Sequence, residues 1–176
     1  ANRHPEMSRG LGDVYKRQEH RRSYSICAPA GASPRVGVRE IPDGLFSSWL
    51  VREVAVGDTV EVQTPTGSFR ADPGQGGRHL CIAAGSGITP MLSVVTSVLR
   101  NDGDVTLLYG NRTHSSVMFL EELEDLKDTY PERFQLLHVL SREPQEVELF
   151  SGRLDADRMG RILDGLLPPD TVDEWF

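Results

Sequence analysis

Apolar positions change their rhythm once along this chain, at a Pro/Gly-rich stretch from Asp72 to Gly77. Upstream of it, from Arg22 to about Phe69, they alternate with polar ones. Tyr24 to Cys27, Arg35 to Ile41 (around Val36 and Val38) and Val60 to Gln63 each read this way, and a period of two predicts half-buried strands. Pro29-Ala30-Gly31, Pro42-Asp43-Gly44 and Val56-Gly57-Asp58 supply the turns between them. Phe46 to Val51 breaks the alternation and, following Gly44, suits one short helix. Several short strands with one helix describe a partial antiparallel β-barrel, with too few strands to close.

Downstream the apolar residues run together. Leu80 to Ala84, Val105 to Tyr109 and Phe134 to Leu140 are short continuous runs, the pattern of strands buried on both faces. Met91, Leu92, Val94, Val95, Val98 and Leu99 recur at helical spacing, and so do Phe119, Leu120, Leu123 and Leu126 within an expected helix from Val117 to Lys127. Thr89 and Pro90 suit the N-cap and first position of the earlier helix. Leu154 to Leu167 reads as a further helix, and Val172 to Phe176 as the start of a strand. Strand and helix in alternation predict a parallel α/β sheet with right-handed crossovers. The expected organisation is an α+β two-domain chain: a partial barrel over 19–72, a linker over 73–78, and an incomplete nucleotide-binding α/β domain over 79–176. Residues 1–18 follow neither period, which predicts a disordered leader. Ser8 to Gln18 (SRGLGDVYKRQ) also resembles a translated sequencing-adapter remnant, so the native sequence is expected to begin near Glu19; a genuine flexible leader is the alternative.

Composition narrows the function. A length of 176 residues allows one or two domains. The formal net charge of -7 argues against a nucleic-acid partner, which calls for a basic patch. No run approaches the roughly 18 apolar residues of a membrane span, and no secretory signal opens the chain, so a cytoplasmic protein is expected. Cys27 and Cys81, far apart, read as buried reduced thiols of a reducing compartment. His4, His20, His79, His114 and His138 match no ligand spacing, so no metal site is expected. Glu121 to Asp125 reads as a solvated helix face, and Trp49 as either a neighbour of a binding site or a core residue.

Arg22-Ser23-Tyr24-Ser25 matches the needs of a flavin. A guanidinium meets its pyrophosphate, an aromatic ring stacks on the isoalloxazine, and a small hydroxyl sits beside the reactive N5, which makes Ser25 the candidate for a catalytic role. On a strand Arg22 and Tyr24 share a face; ordinary surface alternation explains the tetrapeptide equally well. A helix beginning near Phe46 would aim free N–H groups from Phe46, Ser47 and Ser48 at the same pyrophosphate, with Gly44 permitting close approach. Ser47 and Ser48 are equally readable as plain caps.

The second string is Gly85-Ser86-Gly87-Ile88-Thr89-Pro90, after a buried strand and before a helix. It departs from G-x-G-x-x-G because Pro90 replaces the third glycine, yet Gly85 and Gly87 can still bend the backbone beneath a nucleotide, with Thr89 offering a hydroxyl. A tight turn with no ligand is the alternative. At the next strand end stand Asn111 and Arg112, and at the one after it Ser141 and Arg142, a hydroxyl and a guanidinium suited to the 2′-phosphate of NADPH. Glu143 keeps NADH open.

Taken in order, Arg22 to Ser25, Gly44 to Leu50, Pro65-Thr66-Gly67-Ser68-Phe69, Ala84 to Met91 and Tyr109 to Arg112 resemble the ferredoxin–NADP reductase superfamily from about Glu19 to Phe176. Arg21 to Cys27 and Leu107 to Tyr130 are most similar to the reductase components of phenylacetyl-CoA epoxidases, with those of ketosteroid hydroxylases close behind. The resemblance implies a six-stranded FAD barrel, a five-stranded NADP domain, and a 2Fe-2S domain whose four-cysteine pattern is absent from this sequence. It further implies hydride transfer from NADPH to FAD and electron transfer onward to an oxygenase component. On that footing the chain reads as a central fragment of a flavin-dependent reductase, lacking both ends and not necessarily active alone. A non-catalytic FAD- or nucleotide-binding module is the rival reading.

Overall fold

The computed structural model describes residues 20–72 and 76–176; the expected leader and Pro73, Gly74 and Gln75 of the linker lie outside the described residues. Strands β1 (Arg78–Ala84), β2 (Asp104–Asn111), β3 (Phe134–Leu140) and β4 (Glu174–Trp175) form one sheet in the order β3-β2-β1-β4, every neighbouring pair parallel. Parallel neighbours need crossovers, supplied by α2 (Ile88–Arg100), α3 (Leu120–Thr129) and α4 (Ala156–Leu166). The chain runs outward from β1 to β3 and then returns to the far side of β1, so the order reverses between β1 and β4.

Strand alternation divides the core in two. Cys81, Ala83, Leu107 and Tyr109 pack with Ile88, Leu92, Val95 and Leu99 of α2 and Leu123 of α3. Leu108 and Val139 pack instead with Ile162 of α4, joined by the half-buried Ile82, Leu137 and Met159. Leu92, Leu99, Leu107 and Leu108 are fully buried, each side chain contributing about 1.5–3 kcal/mol relative to exposure.

Two helix starts differ from expectation. Gly85–Gly87 forms a 3-10 turn that winds directly into α2, so the N-cap is Gly87, not Thr89. Thr89 and Pro90 fall inside the first turn, where Pro90 lacks no needed N–H. The third helix begins at Leu120 because Phe119 takes a left-handed conformation, φ 58° and ψ 30°.

The upstream region holds α1 (Leu45–Arg52), close to the expected helix. Of the three β runs expected there, only Ile26 and Val36 pair, as an isolated antiparallel bridge, supported by Cys27 N donating to Arg35 O at 2.8 Å. Val60 to Gln63 forms no strand, and all of residues 55–70 are exposed. Alternation expresses a strand only where a second strand satisfies its N–H and C=O groups, and among the described residues none lies beside it. Residues 27–39 are instead laid on the α/β unit. Ser93 Oγ donates to Ala28 O (2.7 Å) and Ala30 N to Ser97 Oγ (3.0 Å). Cys27 is buried in the α2 core, and both it and Cys81 are free thiols.

Candidate functional site

Each of the three long parallel strands ends in one of the candidate strings. Gly85 to Pro90 follows β1, Asn111 closes β2 with Arg112 next, and Ser141 and Arg142 follow β3. In an open parallel sheet the carboxyl ends of the strands are where ligands bind. Two backbone hydrogen bonds carry the pairing past the sheet: Ser141 N donates to Asn111 O (2.9 Å) and Arg142 N to Arg112 O (2.8 Å). Arg112 and Arg142 therefore lie side by side. Both are exposed, and neither guanidinium makes an ion pair among the described residues. Glu143 is turned elsewhere, its Oε2 accepting from His114 N at 2.8 Å.

Asn111 is buried, 7% exposed, and its amide nitrogen and oxygen both lack a hydrogen-bond partner of good geometry, although the amide lies beside the Tyr109 hydroxyl. A buried amide with neither group satisfied is uncommon in a folded protein. Both atoms are closed off from solvent, and the amide stands behind the strand end, against the Tyr109 hydroxyl.

The glycine turn is shaped from below and above. Gly85 has φ +52°, which favours glycine, and its carbonyl accepts the Tyr109 hydroxyl at 2.8 Å. A Cβ on Gly87 would meet nothing within 4 Å, so that side of the turn is open. Thr89 is buried and its hydroxyl donates to Ser86 O at 3.1 Å, turned back into the loop. Burial raises the Tyr109 phenol above its ordinary range, partly opposed by the Met118 N–H, the Asn111 amide and Arg39. Behind it, burial lowers the His138 imidazole, helped by His114 and Lys127.

The upstream strings gather separately. The Tyr24 and Phe46 rings stack at 6.1 Å and 26°, and Phe46 meets Trp49 at 5.5 Å, so the Arg22 to Ser25 string lies against α1. Arg22, Ser23 and Ser25 are exposed; Arg22 Nη1 donates to Arg21 O at 2.7 Å. Ser47 is buried, and its hydroxyl accepts from Ile41 N at 3.1 Å and bonds the Gly44 carbonyl at 3.4 Å. It braces the turn into the helix and is not turned outward. Ser48 remains half-buried. Among the described residues no hydrogen bond, ion pair or ring contact joins these strings to the nucleotide edge.

What joins them is the stretch between, which carries no candidate string. Arg39 donates through Nη2 to Ser116 O, and a Cβ on Gly85 would meet its Nη1 at 3.3 Å. Gly37 sits where a Cβ would lie 2.4 Å from Phe119 Cζ and 3.1 Å from Thr89 Cγ2. Arg35 pairs with Glu122 at 2.8 Å and lies 5.7 Å over the Phe119 ring. Nothing in the local pattern of Val36 to Arg39 signals partners 46 to 82 residues away; Gly37 within an alternating run is a faint sign of close backbone approach. A broad recess of about 730 Å³, which includes Arg78, Asp104, Arg133 and Leu167, opens at the opposite ends of the strands and holds none of these residues.

Comparison with known proteins agrees with this layout. A family model described as oxidoreductase NAD-binding domain matches residues 81–171. The chain is 42% identical over 166 residues to one of the subunits of the 1,2-phenylacetyl-CoA epoxidase from Escherichia coli (strain K12), a match that covers 90% of the chain and 46% of that protein. It is 39% identical over 144 residues to the ferredoxin reductase component of 3-ketosteroid-9-alpha-monooxygenase from Rhodococcus rhodochrous, covering 80% of the chain and 39% of the relative. The crystal structure of an Amycolatopsis cytochrome P450 reductase superposes with a TM-score of 0.71 at 24% identity over 86% of the chain and 46% of that structure, which shows the shared fold. The chain spans less than half the length of either curated relative.

Proposed function

The chain belongs to the oxidoreductase NAD-binding domain family, within the ferredoxin–NADP reductase superfamily, and from that premise we propose that it carries the flavin–nicotinamide junction of an NAD(P)H reductase serving an oxygenase. The observation that carries the proposal is the convergence of three separate strings on one edge of the parallel sheet. Residues 79–176 form the nucleotide-binding part and residues 19–72 part of the flavin-binding region, with 73–78 between them.

Gly85 and Gly87 bring the backbone against the nucleotide, and Thr89 and Pro90 set the start of α2 beneath it. Asn111 closes β2 under the nucleotide, its buried amide beside the Tyr109 hydroxyl. Arg112, Ser141 and Arg142 take the 2′-phosphate. Two exposed guanidiniums on adjacent strand ends, neither in an ion pair among the described residues, favour NADPH, and Glu143, held by the His114 amide, is engaged away from a ribose hydroxyl. Arg22 meets the flavin pyrophosphate, assisted by main-chain N–H groups at Phe46, Ser47 and Ser48 near Gly44, while Ser23 and Tyr24 border the ring and Ser25 offers its hydroxyl at N5. A bound flavin would accept a hydride from the reduced nicotinamide and pass electrons on singly. The protein's part is to hold the two rings in reach and shield them from water; no general base is required of it. The electron acceptor is an oxygenase component such as the phenylacetyl-CoA epoxidase of the E. coli relative or the steroid monooxygenase of the Rhodococcus one.

Stopped-flow mixing of the FAD-reconstituted chain with NADPH without oxygen tests this. Bleaching of the flavin's visible band is the expected result. Binding of both cofactors without bleaching would reduce the chain to a binding module, and binding of neither would sink the reading.

A further inference from the structure

Tyr109 was given no binding role above, yet its hydroxyl bonds two of the loops at the nucleotide edge from inside the core. The side chain is fully buried, rising from β2 into the α2 core. Its hydroxyl donates to Gly85 O at 2.8 Å and accepts from Met118 N at 3.3 Å, with the Asn111 amide beside it, so its single proton is committed to the Gly85 carbonyl. The same Gly85 carbonyl also accepts the Ile88 N–H, which uses both of its lone pairs.

A peptide unit is planar and, when trans, its C=O and N–H point opposite ways. No cis bond occurs among the described residues. With the Gly85 carbonyl drawn down to a buried phenol and to the α2 backbone, the N–H of the same peptide, that of Ser86, faces away from the core. Ser86 is exposed and stands in the opening turn of the helix, where main-chain N–H groups have no helical acceptor. We propose that Tyr109 is a positioning residue for nucleotide binding: its hydroxyl locks the Gly85–Ser86 peptide so that the Ser86 N–H is presented to the nucleotide's phosphates. The inference rests on the nucleotide-binding reading of this edge and adds to it the donor and the group that aims it. It also ties the glycine turn to the 117–119 segment, where Phe119 keeps its left-handed conformation.

Because the pyrophosphate is common to both nucleotides, the hydroxyl should matter equally to NADP+ and NAD+. Titration of each into the full chain and into Tyr109→Phe tests this. The variant is expected to bind both roughly three- to ten-fold more weakly with their ratio unchanged, the size of one neutral hydrogen bond. Hydrogen exchange should show the Ser86 amide protected by NADP+ in the wild type and much less so in the variant. Ser86→Pro deletes the donor and leaves Tyr109 in place, so it should reproduce the loss even if Tyr109→Phe folds poorly. Ile162→Val, a buried change in the other core cluster, should lower stability without touching affinity. Wild-type affinity in both Tyr109→Phe and Ser86→Pro, or a loss confined to one nucleotide, overturns the inference while leaving the reading of the edge intact. No binding of either nucleotide by the wild type overturns both.

Discussion

Ten of the thirteen residues of α2 are buried, whereas every residue from Ala55 to Arg70 is exposed. Both stretches carry repeating apolar residues, so composition does not separate them. What separates them is whether the partner surface is close in sequence. Each strand–helix unit downstream brings its own cover: β1 is followed by α2, β2 by α3, and the apolar stripe of each helix finds the sheet within a few residues. Upstream, Val56, Val62 and Phe69 are exposed, at 109%, 81% and 57%. There the chain is held by a few long-range contacts around Gly37, Arg35 and Arg39.

That contrast can be tested by mutation. Leu92→Ala should cost about 2–5 kcal/mol of unfolding free energy, because α2 packing cannot collapse around the lost volume, while Val62→Ala should stay within about 0.5 kcal/mol. Denaturant titration of both variants reads the difference, and comparable losses would abolish the distinction. Second in size, Arg142→Ala should weaken NADP+ binding by about 1.5–3 kcal/mol and NAD+ far less, while Arg22→Ala leaves both nucleotides alone; calorimetric titration decides. Equal losses for the two nucleotides would remove Ser141 and Arg142 from the 2′-phosphate.

Gly37→Ala addresses the seam between the regions. The added methyl would meet Phe119 Cζ at 2.4 Å, and overpacking of this kind costs about 1–3 kcal/mol. The expected signature is faster amide exchange over residues 26–39 with β1 to β3 unchanged. Uniformly faster exchange would mean that the regions unfold as one.

The smallest effect is acid sensitivity within the α/β unit. His138 titrates below its ordinary value when folded, so between the folded and unfolded pKa the unfolded chain binds more protons. Its neutral form is kept without cost above the unfolded value, about 6.5, and stability falls as pH drops below it. Denaturation midpoints should decline on acidification more steeply in the wild type than in His138→Asn. Parallel curves would assign the loss to other groups.

Much of the fold was legible. The period change near the linker, the three buried runs and the helical stripes of α2 and α3 are local signals, and the strands and helices follow them closely. The α3 start was not legible, because Phe119 adopts its left-handed conformation where the Tyr109 hydroxyl and Gly37 converge, contacts that no neighbouring residue announces. Of the alternating runs upstream, two meet at the Ile26–Val36 bridge and Val60 to Gln63 forms no strand, for a related reason: period two states which face a strand would bury, but a strand also needs a second backbone beside it. At the site, the three strings were legible as strings. Their side chains were less so: Thr89, expected to offer its hydroxyl to a ligand, turns it back into its own loop, and Ser47 braces the turn before α1 as its alternative reading as a cap suggested.

The sequence by itself determined the strand–helix alternation, and with it that Gly85, Asn111 and Arg142 stand at strand ends, since hydrophobic period and glycine placement act over a few residues. Tertiary structure alone decided which groups meet there: Arg39 above the glycine turn, Tyr109 beneath it, Glu143 drawn off by His114, and the Asn111 amide buried beside the Tyr109 hydroxyl. The hydrogen bonds that fix them span 24 to 77 residues, and a hydrogen bond is set by the position of both partners, which only the packed sheet and helices supply.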